Sequence, residues 1–124
     1  MIADETVVYA LTRDRELATM LDARLRHAIA FFYNDAARLH QAVILRTPDL
    51  VLVDTAAIRP EYGDAGLAPV LHFLHERVPA ARLAVRPMPG AEQLIAAEAG
   101  AAAELLPAEA AGCIEAVLAA CGCG

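Results

Sequence analysis

Four apolar residues in a row, Leu50-Val51-Leu52-Val53, stand between Asp49 and Asp54. A strand with one wet face carries a polar residue at every second position, and this run carries none. It therefore predicts a strand covered on both faces, as in the interior of a parallel sheet. Pro48 blocks a helix from running into the strand and favours an extended entry. Asp54 falls at the strand's carboxyl end, the edge of an open parallel sheet where ligands and chemistry collect. On spacing alone, Asp54 is either a site residue or the cap of the loop that follows.

The flanking sequence supplies the rest of such a sheet. Thr6–Leu11 reads as a first strand rich in β-formers. Thr12 or Asp14 can then cap a helix over 14–27, where Leu17, Met20, Leu21 and Leu25 repeat at helical spacing. Ala28–Tyr33 reads as a second strand, and Asn34-Asp35 as a turn and cap. Ala36, Leu39, Val43 and Leu45 mark a helix that breaks at Thr47-Pro48. After Asp54, Pro60, Gly63 and Gly66 predict a long loop over 55–66. A helix follows on Leu67, Val70, Leu71 and Leu74, with Pro69 tolerated in its first turn. Arg82–Arg86 is a short strand, and Ala91–Ala99 a helix with Leu94 and Ile95 inward, ended by Gly100. Ala103–Leu106 is a weak strand, and Ala108–Ala120 a last helix. Strand and helix thus alternate five times. Crossovers of this length make the strands parallel. Five strands in a doubly wound sheet most often take the flavodoxin-like order 2-1-3-4-5, with helices on both faces.

A chain of 124 residues suffices for one domain and is short for two. Residues 1–120 are expected to form it, with 121–124 a Cys/Gly tail. No apolar run reaches the roughly 18 residues of a membrane span. The acidic start Met1-Ile2-Ala3-Asp4-Glu5 does not resemble a secretory signal, so a cytoplasmic location away from membranes is expected. A net charge of -6 argues against unaided nucleic-acid binding, which relies on cationic patches. All ten basic side chains are arginine, and lysine and serine are both absent. The lack of serine excludes a serine hydrolase. No dinucleotide or P-loop motif occurs, and Cys113, Cys121 and Cys123 cluster away from any strand's carboxyl end, so no enzyme is expected. The cysteines are an odd set unlike a disulfide framework, and the last two read as free thiols on a terminal tail. His72 and His75 are spaced to share a metal, yet Leu71 and Leu74 claim the sheet-facing side, which makes the pair a solvated face. His27 and His40 are lone residues near helix ends.

The chain resembles a response-regulator receiver domain over nearly its whole length. Pro48-Asp49-Leu50-Val51-Leu52-Val53-Asp54 is close to the PDLVLLD around a receiver's phosphoacceptor aspartate. Gly100-Ala101-Ala102-Ala103-Glu104-Leu105-Leu106 sits where receivers carry GADDYL, and Thr12-Arg13-Asp14-Arg15-Glu16-Leu17 where they carry DDDPEL. The resemblance implies a signalling role, with Asp54 as the phosphoacceptor-like residue. Receivers hold Mg²⁺ with an acidic pair after the first strand. They hold the phosphoryl group with a Thr or Ser after the fourth strand and a Lys after the fifth. Phosphoryl transfer to a carboxylate needs such cations to offset the oxygens' charge.

Here the acidic pair falls on Thr12-Arg13, and a remnant carboxylate comes one step later at Asp14. The Thr/Ser position falls at about Arg86-Pro87 and the Lys position on Pro107. The loop after Asp54 also differs, with Pro60 and Gly66 later than a receiver's Pro and Gly. The expectation is a degenerate pseudo-receiver that signals through protein partners, with Arg13 or Arg86 set against Asp54 in place of metal or phosphate. No cofactor and no metal are then expected. Receivers commonly pair through the region matching Ala91–Ala120, whose small side chains suit a homodimer. Two other readings stand. In one, Asp54 is phosphorylated with Mg²⁺ on Asp14 and Asp54. In the other, the chain is a small flavodoxin-like ligand-binding module or enzyme with a pocket at Thr12, Asp14, Asp54 and Arg86.

Overall fold

The structure, a computed structural model, describes residues 6–25, 28–62 and 66–121. The strands are β1 (Thr6–Leu11), β2 (Ala28–Tyr33), β3 (Leu50–Asp54), β4 (Arg82–Arg86) and β5 (Glu104–Leu105). The helices are α1 (Arg15–Arg24), α2 (Ala36–Leu45), α3 (Thr55–Tyr62), α4 (Leu67–Arg77), α5 (Glu92–Ala99) and α6 (Ala110–Ala120). The five strands form one parallel sheet in the order β2-β1-β3-β4-β5. This is the flavodoxin-like order that the sequence predicts. His27, Gly63 and Cys123 lie outside the described residues.

All five residues of β3 are buried, because β1 and β4 flank it and helices cover both its faces. Alternation along the strands divides the core in two. Tyr9, Leu11, Val51, Val53 and Val85 pack with α2, α3, α4 and α5. Val8, Ala10, Leu50, Leu52 and Ala84 pack with Leu17 and Leu21 of α1 and Ile114, Val117 and Leu118 of α6. Asp49 joins the entries of two strands, since its Oδ2 accepts from the Val7 amide at 2.8 Å. Among the described residues, no helix is long and apolar enough to cross a membrane.

Two expectations are corrected. The stretch after β3 is a helix, α3, and not a loop. Pro60 cannot donate an intrahelical bond and so argues for a loop. Burial of Ala57 and Ile58 against the sheet outweighs that loss. Leu94 does not face inward: it is 60% exposed. Ile95 and Ala99 take the buried side of α5, and Leu94 lies about 100° around the helix from Ile95. Met20 likewise points outward beside buried Leu21. His72 and His75 are exposed next to buried Leu71 and Leu74, as the spacing of α4 predicts.

Leu52→Ala should lower unfolding free energy by about 3 kcal/mol in urea titration, the usual result of emptying a packed core position. Leu94→Gln should shift it by no more than about 0.5 kcal/mol. Equal costs at the two positions would contradict this division of core and surface.

Candidate functional site

The register of β3 and β4 sets Asp54 and Arg86 side by side at the carboxyl edge of the sheet. Each is the last residue of its strand. Just beyond β1, Thr12 keeps the ladder going by donating its amide to the Tyr33 carbonyl at 2.9 Å. Asp14 then caps α1, its Oδ1 accepting from the Leu17 amide at 3.0 Å. The alternation of strand and cap thus brings Thr12, Asp14, Asp54 and Arg86 to one place.

Arg86 holds them together. One of its terminal nitrogens lies 3.1 Å from Asp14 Oδ2 and 3.2 Å from Asp54 Oδ2. Its Nε donates to the Ala108 carbonyl at 2.9 Å, between β5 and α6. The Thr55 hydroxyl donates to the Arg86 carbonyl at 3.0 Å and fixes the end of β4 against the start of α3. Thr12 Oγ1 donates to Asp54 Oδ2 at 2.8 Å and accepts from the Asp14 amide at 3.1 Å. Asp54 Oδ1 accepts from the Ala56 amide at 3.3 Å, at the positive end of the α3 dipole. The carboxylate of Asp54 is therefore engaged on both oxygens. Its side chain is 5% exposed and that of Arg86 13%.

These contacts set the charge states. The Leu17 amide does most to hold the Asp14 carboxyl below its ordinary value; partial burial opposes it, and Arg86 adds in the same direction as the amide. Burial works against the Arg86 charge, but Asp14 and Asp54 outweigh it and keep the guanidinium above its ordinary value. Beneath the cluster, on the inner face of α6, burial pushes the Cys113 thiol up to about 11. That thiol is a packing group and a poor nucleophile at neutral pH.

The structure separates the two candidate cations. Arg13 makes no ion pair with Asp54 among the described residues: it is exposed and donates from Nε to the Asn34 carbonyl at 2.8 Å. Pro107, at the position matching a receiver's lysine, is exposed and lies over α6. A methyl group built on Gly112 would meet its Cβ at 2.9 Å. The sequence places Thr12 in this pocket without its bond to Asp54, and does not point to two other contributors. Thr12 holds Asp54 although it breaks the acidic pair, Thr55 fixes the backbone of Arg86, and the Ala108 carbonyl receives the guanidinium. A threonine directly beyond the end of a buried strand was the available signal for the first two. A backbone carbonyl leaves none.

The donor set does not fit Mg²⁺. Both facing carboxylate oxygens, Asp14 Oδ2 and Asp54 Oδ2, bond the same guanidinium nitrogen, so a cation already stands where a shared metal would have to bind. Among the described residues, no group of three or more His, Cys, Asp or Glu side chains is placed to hold an ion. A shallow cavity of ≈ 330 Å³ adjoins the cluster, between Asp14, Asp54 and the turn at Met88-Pro89.

No family model matches the chain, and no curated protein does. Solved structures do. The signal receiver domain of an HD domain-containing protein from Pseudomonas fluorescens superposes with a TM-score of 0.74 at 17% identity, covering 99% of this chain and 89% of that one. The receiver domain of a Francisella response regulator gives 0.72 at 10% identity, covering 96% and 94%. A putative pilus assembly protein from Burkholderia thailandensis gives 0.66 at 17% identity, covering 96% and 99%. The chain thus has the fold of CheY-like receiver domains, as its β3 motif led one to expect.

A double-mutant cycle tests the bridge. Arg86→Met should cost about 3 kcal/mol, because it leaves Asp54 buried without its cation. Asp54→Asn should cost less, since Asp14 and Ala108 still receive Arg86. The coupling between the two changes should be about 1–3 kcal/mol by urea unfolding. Additive costs would mean that the pair is not formed.

Proposed function

We propose that this chain is a receiver-type signalling module that works by protein–protein contact, in one conformation fixed by Arg86 and without phosphorylation of Asp54. The Arg86 bridge between Asp14 and Asp54 carries this reading. A receiver switches because a phosphoryl group and a metal arrive at that point and a Lys and a Thr or Ser follow them. A guanidinium delivers a permanent positive charge there, through bonds that close both carboxylates. With no lysine in the chain, the group that would hold a transferred phosphoryl has no counterpart.

The likeness to receivers supports a non-enzymatic signalling role, and the likeness to a putative pilus assembly protein extends the same fold beyond response regulators. The partner surface in this reading is the α5-β5-α6 region, where Leu94 and Leu105 are exposed among alanines, and a second copy of the chain is one occupant it suits.

Acetyl phosphate and Mg²⁺ added to the purified protein, followed by intact mass and by amide NMR of Thr12, Asp54 and Arg86, test the reading. An unchanged mass and unmoved amides are expected. A metal-dependent phosphoryl adduct that disappears in Asp54→Asn would overturn it and make the protein a phosphorylated switch.

A further inference from the structure

A second cavity lies away from Asp54. It has a volume of ≈ 730 Å³ and opens over the carboxyl ends of β1 and β2, between the first turns of α1 and α2. That size lies within the range of small-molecule sites. Three of the chain's ten arginines line it: Arg13, Arg15 and Arg38. Asp14 is the one acidic residue in the lining, and Arg86 already pairs with it. The cavity is therefore positive on a chain whose net charge is -6.

The arginines have capacity to spare. Arg13 spends only Nε, on the Asn34 carbonyl. The Arg15 side chain makes no hydrogen bond or ion pair among the described residues. Arg38 meets Asp35 through Nε at 3.3 Å, and its side chain is 73% exposed. Guanidinium groups so placed offer forked donors that match phosphate oxygens. The first turns of α1 and α2 border the same space, each capped by a carboxylate, Asp14 and Asp35. Phe32 and Tyr33, both half-buried, line it from opposite faces of β2, and Phe32 gives the α1 side an apolar, aromatic surface.

We infer that this cavity binds a small phosphate-bearing molecule with a planar ring, its phosphate held by Arg13, Arg15 and Arg38 and its ring laid against Phe32. The inference does not rest on the signalling reading, because neither Arg15 nor Arg38 touches the bridge of Asp14, Arg86 and Asp54.

Amide NMR titration of the full chain with inorganic phosphate, pyrophosphate and AMP tests it, in parallel with an Arg15→Gln/Arg38→Gln variant. Both arginines are exposed, so the variant should keep the fold, and its amide spectrum verifies this directly. AMP should give saturable shifts confined to residues 12–18 and 32–38. Its affinity should exceed that of inorganic phosphate by about tenfold and fall by about tenfold or more in the variant, since hydrogen bonds to charged groups are lost. No saturable response to any probe at millimolar concentration would overturn the inference, as would shifts unaltered in the folded variant. Equal affinities for phosphate and AMP would overturn the role given to Phe32.

Discussion

One mostly buried cation ties together the carboxyl edge of this sheet around Asp54. Arg86 comes from the end of β4 and reaches the cap of α1, the end of β3 and the turn before α6. Taking an ion out of water costs several kcal/mol unless partners and hydrogen bonds replace the solvent. Here the terms are mutual. Asp54 can be buried because Arg86, Thr12 and the Ala56 amide surround it, and Arg86 because two carboxylates and a carbonyl surround it. Removing Arg86 leaves Asp54 buried without its cation, which makes the cluster a joint between four segments of the chain.

That joint bears on what a receiver fold can do. A switch needs an element with two arrangements of similar free energy and a ligand that prefers one of them. In receivers the arriving charge is the phosphoryl group with its metal. In this chain a charge that belongs to the sequence, that of Arg86, bridges Asp14 and Asp54. Thr55, placed to anchor the backbone of Arg86, further limits movement of the β4 end relative to α3. The same edge also presents open space over β1 and β2, lined by arginines that the bridge does not use.

The fold was legible because β3 is unambiguous. Four apolar residues closed by two aspartates admit few placements, and once β3 is central the alternation of strand and helix dictates the order. Asp54 was legible for the same reason, as the first polar residue after a buried strand. Arg86 was legible only as one of two cations, because sequence spacing does not say which of Arg13 and Arg86 turns inward. The register of β3 against β4 decides it. The helix at 55–62 was hidden by Pro60 and Gly63, whose local preference for a loop yields to the burial of Ala57 and Ile58. The basic cavity was not legible, since Arg13, Arg15 and Arg38 come together only when β1 and β2 pair and α1 and α2 start side by side.

The most direct measurement is ¹⁵N NMR of the Arg86 side chain in the native protein, with and without Mg²⁺. A guanidinium locked between Asp14 and Asp54 should show separate, slowly exchanging Nη resonances and couplings to both carboxylates, unchanged by the metal. A single averaged resonance, or one that Mg²⁺ releases into fast rotation, would mean that Arg86 does not hold the site and that the edge is free to switch.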